Sequence, residues 1–136
     1  MDHAAAVSRP LNTYEEFAEL LVREVRDAAI QGCDGNLRSE SPSPVARRWR
    51  AAAAGGTDAA LPVAIPDCVD ETIFYLLHAI DEGSLRLSFT ASSGRTVDLT
   101  EEGLGELSGW FMGSEGWRRA YSEERFADDA AGLSLD

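Results

Sequence analysis

The sequence contains no lysine; all twelve of its basic residues are arginine. With alanine abundant as well, this usage is the trace of GC-rich codons and points to a bacterial gene, not to a particular chemistry. Long apolar runs are also missing, and nothing approaches the roughly 20 residues that a membrane-spanning helix needs. The opening stretch, MDHAAAVSRPLNTYEE, has neither a cationic start nor a sustained apolar segment. It argues against a secretory leader and makes the cytoplasm the expected compartment. Cysteine is scarce, with only Cys33 and Cys68 present. Two cysteines are too few for a disulfide framework, and they stand too far apart for the CxxC spacing of a zinc or redox site, so the expectation is two reduced thiols. There is no GxSxG, no P-loop and no GxGxxG, which removes the common nucleophile-elbow and phosphate-cradling signatures.

Acid is present in excess. The formal net charge is −12 over 136 residues, and residues 57–136 alone hold sixteen acids against five arginines. Such a field repels nucleic acid and anionic membranes and attracts basic partners. The one positive island lies within residues 38–56, where Arg47, Arg48, Trp49 and Arg50 follow one another. Arginines around an aromatic can grip phosphates and stack a base. The favoured expectation is that they pair with the chain's own acids while Trp49 docks a helix.

The length suits one domain with one core. Residues 1–12 read as a flexible arm, 13–130 as the globular unit and 131–136 as a frayed tail. Thr13 followed by Glu16 forms a capping box for a helix over about 14–31, with Tyr14, Phe17, Leu21, Val25 and Ala28 on its apolar face. A turn-rich loop follows. Ser43 before Pro44 starts a second helix, which runs to about Ala54 and stops at Gly55 and Gly56. A linker then leads to Pro66, which opens a third helix over about 66–82. Val69, Ile73, Leu76, Leu77 and Ile80 line one side of it, acids fill its first turns and Gly83 stops it. After that the period changes to two. Leu85, Leu87 and Phe89, then Val97 and Leu99, alternate around a glycine-bearing loop and predict an antiparallel hairpin over about 85–99. Thr100 caps a fourth helix over about 101–112, and short helices follow. The expected fold is α+β: a mostly helical single domain of four to five helices around the amphipathic helix 66–82, with one hairpin.

Two further constellations are candidates for function. In GWFMGSEGWRRAY, Trp110, Trp117 and Tyr121 are interleaved with glycines, and Gly105, Gly109 and Gly113 recur every four residues along the predicted fourth helix. Each interior glycine costs about 1 kcal/mol relative to alanine, so a strip of them needs a close neighbour. An aromatic of the same chain folding back, a homodimer partner, or a ligand groove lined by Trp110 and Trp117 would each supply one. Glu71, His78 and Glu82 share a helix flank and are weak metal candidates, because one histidine on one element is a thin ligand set; a solvated, self-paired face is the simpler expectation. Cys68 and His78 lie about 15 Å apart along one helix and cannot form a dyad. No catalytic set and no cofactor motif emerges. The expectation is therefore a non-catalytic acidic module that binds a basic protein partner, inhibitor- or immunity-like in size and charge alone. The contrasting expectation is a small-molecule binder or enzyme that uses Trp110, Trp117 and Tyr121 with His78.

Overall fold

A computed structural model describes residues 12–130; the tail and all of the arm but Asn12 lie outside the described residues. In chain order the elements are α1 (Thr13–Leu20), a π-helical stretch (Leu21–Asp27), α2 (Ala28–Asn36), α3 (Pro44–Ala53), α4 (Thr57–Asp81), β1 (Ser88–Thr90), β2 (Thr96–Asp98), α5 (Leu99–Glu102), α6 (Leu107–Met112) and α7 (Trp117–Tyr121). The fold is mostly helical with one two-stranded antiparallel hairpin, a small α+β domain. Among the described residues no helix is long and apolar enough to cross a membrane.

The first helix begins one residue earlier than its predicted box. Asn12 accepts from the Glu15 backbone N–H at 2.8 Å, and the Glu15 carboxylate takes the Asn12 N–H at 3.2 Å, so the reciprocal cap is Asn12 with Glu15. The π-helical stretch then widens the turn and rotates the apolar stripe. Val25 and Ala29 become the buried positions where strict helical spacing predicts Val25 and Ala28, and Tyr14, Phe17 and Leu21 are left exposed. Downstream, Ser43 caps α3 through the Ala46 N–H with Pro44 in the first turn, as expected.

The largest departure is α4. It starts at Thr57, nine residues before the predicted start, and runs through both Pro62 and Pro66. A proline inside a helix removes one i→i−4 bond and ordinarily costs about 3 kcal/mol. Here Pro66 leaves the Pro62 carbonyl without its helical donor, and Arg125 supplies two from outside, Nε at 3.1 Å and a terminal nitrogen at 2.9 Å. The 55–66 linker therefore shrinks to a glycine turn, with Gly56 at φ 89°. Gly83, at φ 83°, ends the helix as predicted.

α4 is the post on which the other helices assemble, but its apolar residues serve two sides. Ala79 packs with Val25 and Leu85 in the core, flanked by Leu20, Tyr75, Leu76 and Leu87, and Ile80 is also fully buried. Val69, expected inside, is 55% exposed. The hairpin pairs Ser88 with Asp98, Phe89 with Val97 and Thr90 with Thr96.

The predicted helix 101–112 is broken in two. Asp98, not Thr100, caps α5 by accepting from the Thr100 and Glu101 N–H groups. Leu104 and Gly105 then take positive φ, 55° and 73°, in the turn between the helices. Asp81, at the end of α4, caps α6: its carboxylate accepts from the Leu107 and Ser108 N–H groups at 2.9 and 3.0 Å and from the Ser108 hydroxyl at 2.8 Å. A fresh helix start imposed from α4 cannot continue the previous helix. Leu104, expected in the core stripe with Leu107 and Phe111, is consequently 76% exposed, while Leu107 is buried.

Candidate functional site

Ile65, Val69, Ile73 and Leu77 recur every four residues along α4 and form one wall of a groove. Phe111 of α6, Trp117 and Tyr121 of α7, and Phe126 of the following segment form the other. The groove holds about 620 Å³ and its lining is mainly apolar. Val69, Ile65 and Tyr121 are more than half exposed, and Leu61 extends the same exposed row one turn toward the start of α4. A contiguous apolar surface of this kind on a strongly acidic chain is a feature that needs an explanation.

Arg118 is buried in the groove wall, only 6% exposed. One terminal nitrogen donates to Asp70 at 2.6 Å, and the other donates to the Met112 carbonyl at 3.0 Å. The guanidinium lies 4.6 Å from the Phe126 ring centre and 5.5 Å from that of Phe111, placing cationic charge against both aromatic rings. Its Nε–H has no acceptor among the described residues. Burial pushes the Asp70 carboxyl above its ordinary pKa, and the nearby Asp67 adds to the rise, despite the opposing pull of Arg118.

In the basic island, Arg48 and Trp49 are engaged by the chain's own acids. Arg48 grips Asp67 through Nε and a terminal nitrogen at 3.1 and 2.8 Å, and reaches Asp129 through both terminal nitrogens at 2.9 and 3.1 Å. Trp49 is buried, and its indole N–H donates to Asp67 at 2.7 Å. Arg50 donates to the Arg38 and Ser41 carbonyls, and Arg47 is exposed. The hydrogen bond that Arg48 donates to Asp129 is the main reason the Arg48 pKa is raised further. Two carboxylates of the chain thus occupy the Arg48 guanidinium, the self-pairing that the sequence reading favoured over an external anion.

The glycines and aromatics separate into distinct roles. A Cβ placed on Gly105 or Gly109 would meet nothing within 4 Å, so among the described residues no group approaches the strip at those positions. Close approach occurs instead at Gly103, where a Cβ would lie 2.9 Å from the Leu107 side chain, and at Gly116, whose place is taken by the Trp110 carbonyl. Gly113 is intermediate, 3.1 Å from the Gly109 carbonyl on the same measure. Trp110 and Trp117 meet across this turn at 6.0 Å between ring centres. Trp117 and Tyr121 face the groove, and Trp110 backs Trp117 from outside it.

His78 stacks on Phe74 at 5.6 Å and pairs with Glu82 at 3.2 Å. Glu71 turns toward α2, where its carboxylate lies 2.8 Å from the position of a Cβ on Gly32. Glu71, His78 and Glu82 therefore do not converge, and among the described residues no group of three or more His, Cys, Asp or Glu side chains could hold a metal. The flank is solvated and self-paired at His78 and Glu82, as expected, but not toward the start of the helix, where Glu71 is half-buried and Asp67, on the same flank, is buried beneath α3.

Sequence reasoning missed the groove because it started the helix at Pro66 and assigned Val69, Ile73 and Leu77 to the core. The signal was present in the four-residue repeat from Ile65 to Leu77. Phe126 carried none, since it lies outside any helix. The chain matches no protein family, no curated protein and no solved structure.

Proposed function

We propose that this protein is a non-catalytic interaction module, cytoplasmic and bacterial, that binds a basic protein partner by taking an amphipathic helix into the groove between α4 and α7. The observation that carries the proposal is the row Ile65, Val69, Ile73, Leu77 that lines the groove on an acidic chain, with Ile65 and Val69 more than half exposed among the described residues, and faced by Trp117 and Tyr121. Twelve residues of helix separate the ends of that row, a length of about 18 Å. A partner helix of some three turns, presenting anchors at i, i+3 or i+4, and i+7, matches it. A compact metabolite would leave part of such a strip uncovered.

Charge selects the partner. Arg118 is engaged by Asp70, Arg119 by Asp128, and Arg125 by the Pro62 carbonyl and Glu124, so the arginines around the groove are held within the chain. The net charge of −12 then acts on whatever approaches. It opposes a second copy of the same chain and draws a cationic helix.

The test is a titration, followed by tryptophan fluorescence, with two designed amphipathic peptides that share one leucine face and differ only in carrying arginine or glutamate on the other. The arginine peptide should bind at least about tenfold more tightly than the glutamate peptide, a gap that closes as salt rises. Val69→Glu should abolish binding. Equal affinity for the two peptides would contradict a basic partner, and binding that survives Val69→Glu would contradict the groove. A stability gain with small apolar metabolites but with neither peptide would favour the small-molecule alternative.

A further inference from the structure

Thirty-five positions apart in the chain, Cys33 of α2 and Cys68 of α4 are neighbours in the fold. The Cys68 thiol is close enough to contribute to raising the Cys33 pKa. Backbone geometry supports the contact independently. Cys68, Glu71 and Tyr75 follow one another at three and four residues, so they share one face of α4. That face meets α2 at Gly32, next to Cys33, where a Cβ would lie 2.8 Å from the Glu71 carboxylate and 3.4 Å from the Tyr75 ring. With no side chain at Gly32, the Glu71 carboxylate and the Tyr75 ring reach across to α2 there, so the two helices pack against each other beside the thiols. A disulfide between them needs Cα atoms about 4.4–6.8 Å apart.

We infer that Cys33 and Cys68 form an oxidation site, closing an intramolecular disulfide between α2 and α4 when a hydroperoxide reaches them. The electrons balance in two steps. The Cys68 sulfur gives up its proton and attacks one peroxide oxygen; the O–O bond breaks, leaving a sulfenic acid on Cys68 and releasing water or alcohol. The Cys33 sulfur then attacks the Cys68 sulfur; the S–S bond forms and the sulfenic oxygen leaves as water, carrying the Cys33 proton. Two thiols are oxidised and one peroxide is reduced. Glu71 is the neighbouring carboxylate placed to receive the Cys33 proton in transit. Burial, together with the Cys68 thiol, pushes the Cys33 thiol up to about 12, which keeps it protonated at neutral pH and reserves it for the second step.

The site is independent of the groove, so its test does not depend on any partner. The full chain is treated with hydrogen peroxide, quenched with catalase, alkylated, and digested with trypsin, which cuts only at arginine here. The expected product is a monomer lighter by two hydrogens that resists alkylation, with peptide 27–38 joined to peptide 51–86. Dithiothreitol should restore both alkylation sites. Closing a loop of this length should raise the melting temperature by on the order of 10 °C. In Cys33→Ser, peroxide should instead leave a Cys68 sulfenic acid trapped by dimedone; in Cys68→Ser the link should not form. Disulfide-linked dimers, or independent over-oxidation of each cysteine in the unmutated chain, would overturn the inference.

Discussion

Asp67 and Asp70 stand three residues apart on α4, and each holds an arginine delivered by another helix. Asp67 receives Arg48 and the Trp49 indole from α3, while Asp129 takes the remaining face of the same guanidinium. Asp70 receives one nitrogen of Arg118 from α7, and the rest of that guanidinium is met by carbonyls and two phenylalanine rings, with Nε left over. The first clamp is closed on all sides and fixes α3 to the post. The second is only partly compensated and forms part of the wall of an open groove. Two ion pairs of the same chemistry, on the same helix, thus divide into one that holds the fold together and one that stands beside the proposed binding surface. A buried pair stabilises only when its remaining hydrogen-bonding capacity is met, and here that condition separates them.

Removing Asp67 should produce the largest effect. Asp67→Ala leaves the buried Trp49 N–H without an acceptor and Arg48 with half its partners, and should cost about 3–5 kcal/mol in urea unfolding. A cost below about 1 kcal/mol would erase the contrast. Asp70→Asn should cost far less, about 1 kcal/mol or under. The amide keeps an acceptor for Arg118, and burial already disfavours the charge it replaces.

The pH dependence sharpens the same contrast. Because the folded-state pKa of Asp70 is raised above 3.8, the native state binds its proton more readily than the unfolded chain. Its contribution therefore favours folding at low pH and is lost as pH rises from the ordinary aspartate range through the elevated value. Glu71, raised by its own burial and by Asp67, acts in the same direction. Urea midpoints followed across the acidic range should fall less steeply with rising pH in Asp70→Asn than in the parent; identical slopes would show that Asp70 is not the strained member. The smallest effect belongs to Arg125→Ala. It strips the two donors from the Pro62 carbonyl at a solvent-accessible site and should cost about 1 kcal/mol, read as a shift in thermal midpoint.

Much of the frame was legible in the sequence because local rules set it. Ser43 with Pro44, and Gly83, marked real boundaries, and the change of period after Gly83 marked a real hairpin, although its strands span only Ser88–Thr90 and Thr96–Asp98 inside the predicted 85–99. The failures share one cause: tertiary contacts overrode local signals. Pro66 reads as a helix start, yet the helix passes through it because Arg125, fifty-nine residues later, satisfies the freed carbonyl. Leu104 reads as core, yet Asp81 caps α6 and forces a turn before it. Trp117 and Tyr121 were flagged by composition, but their opposite wall was hidden by the shortened helix. The nearness of Cys33 to Cys68 could not be read at all, because their separation in sequence says nothing about the packing of α2 on α4.

The claim that the open side of α4 receives a basic helix is tested most directly by chemical-shift mapping on isotopically labelled protein, with the arginine-faced peptide as ligand. The account predicts perturbations concentrated on the methyl groups of Ile65, Val69, Ile73 and Leu77 and on the Trp117 and Tyr121 rings, with Trp49 and Leu85 unmoved. Perturbations centred instead on α1 or the hairpin, or spread evenly over the acidic surface, would contradict it.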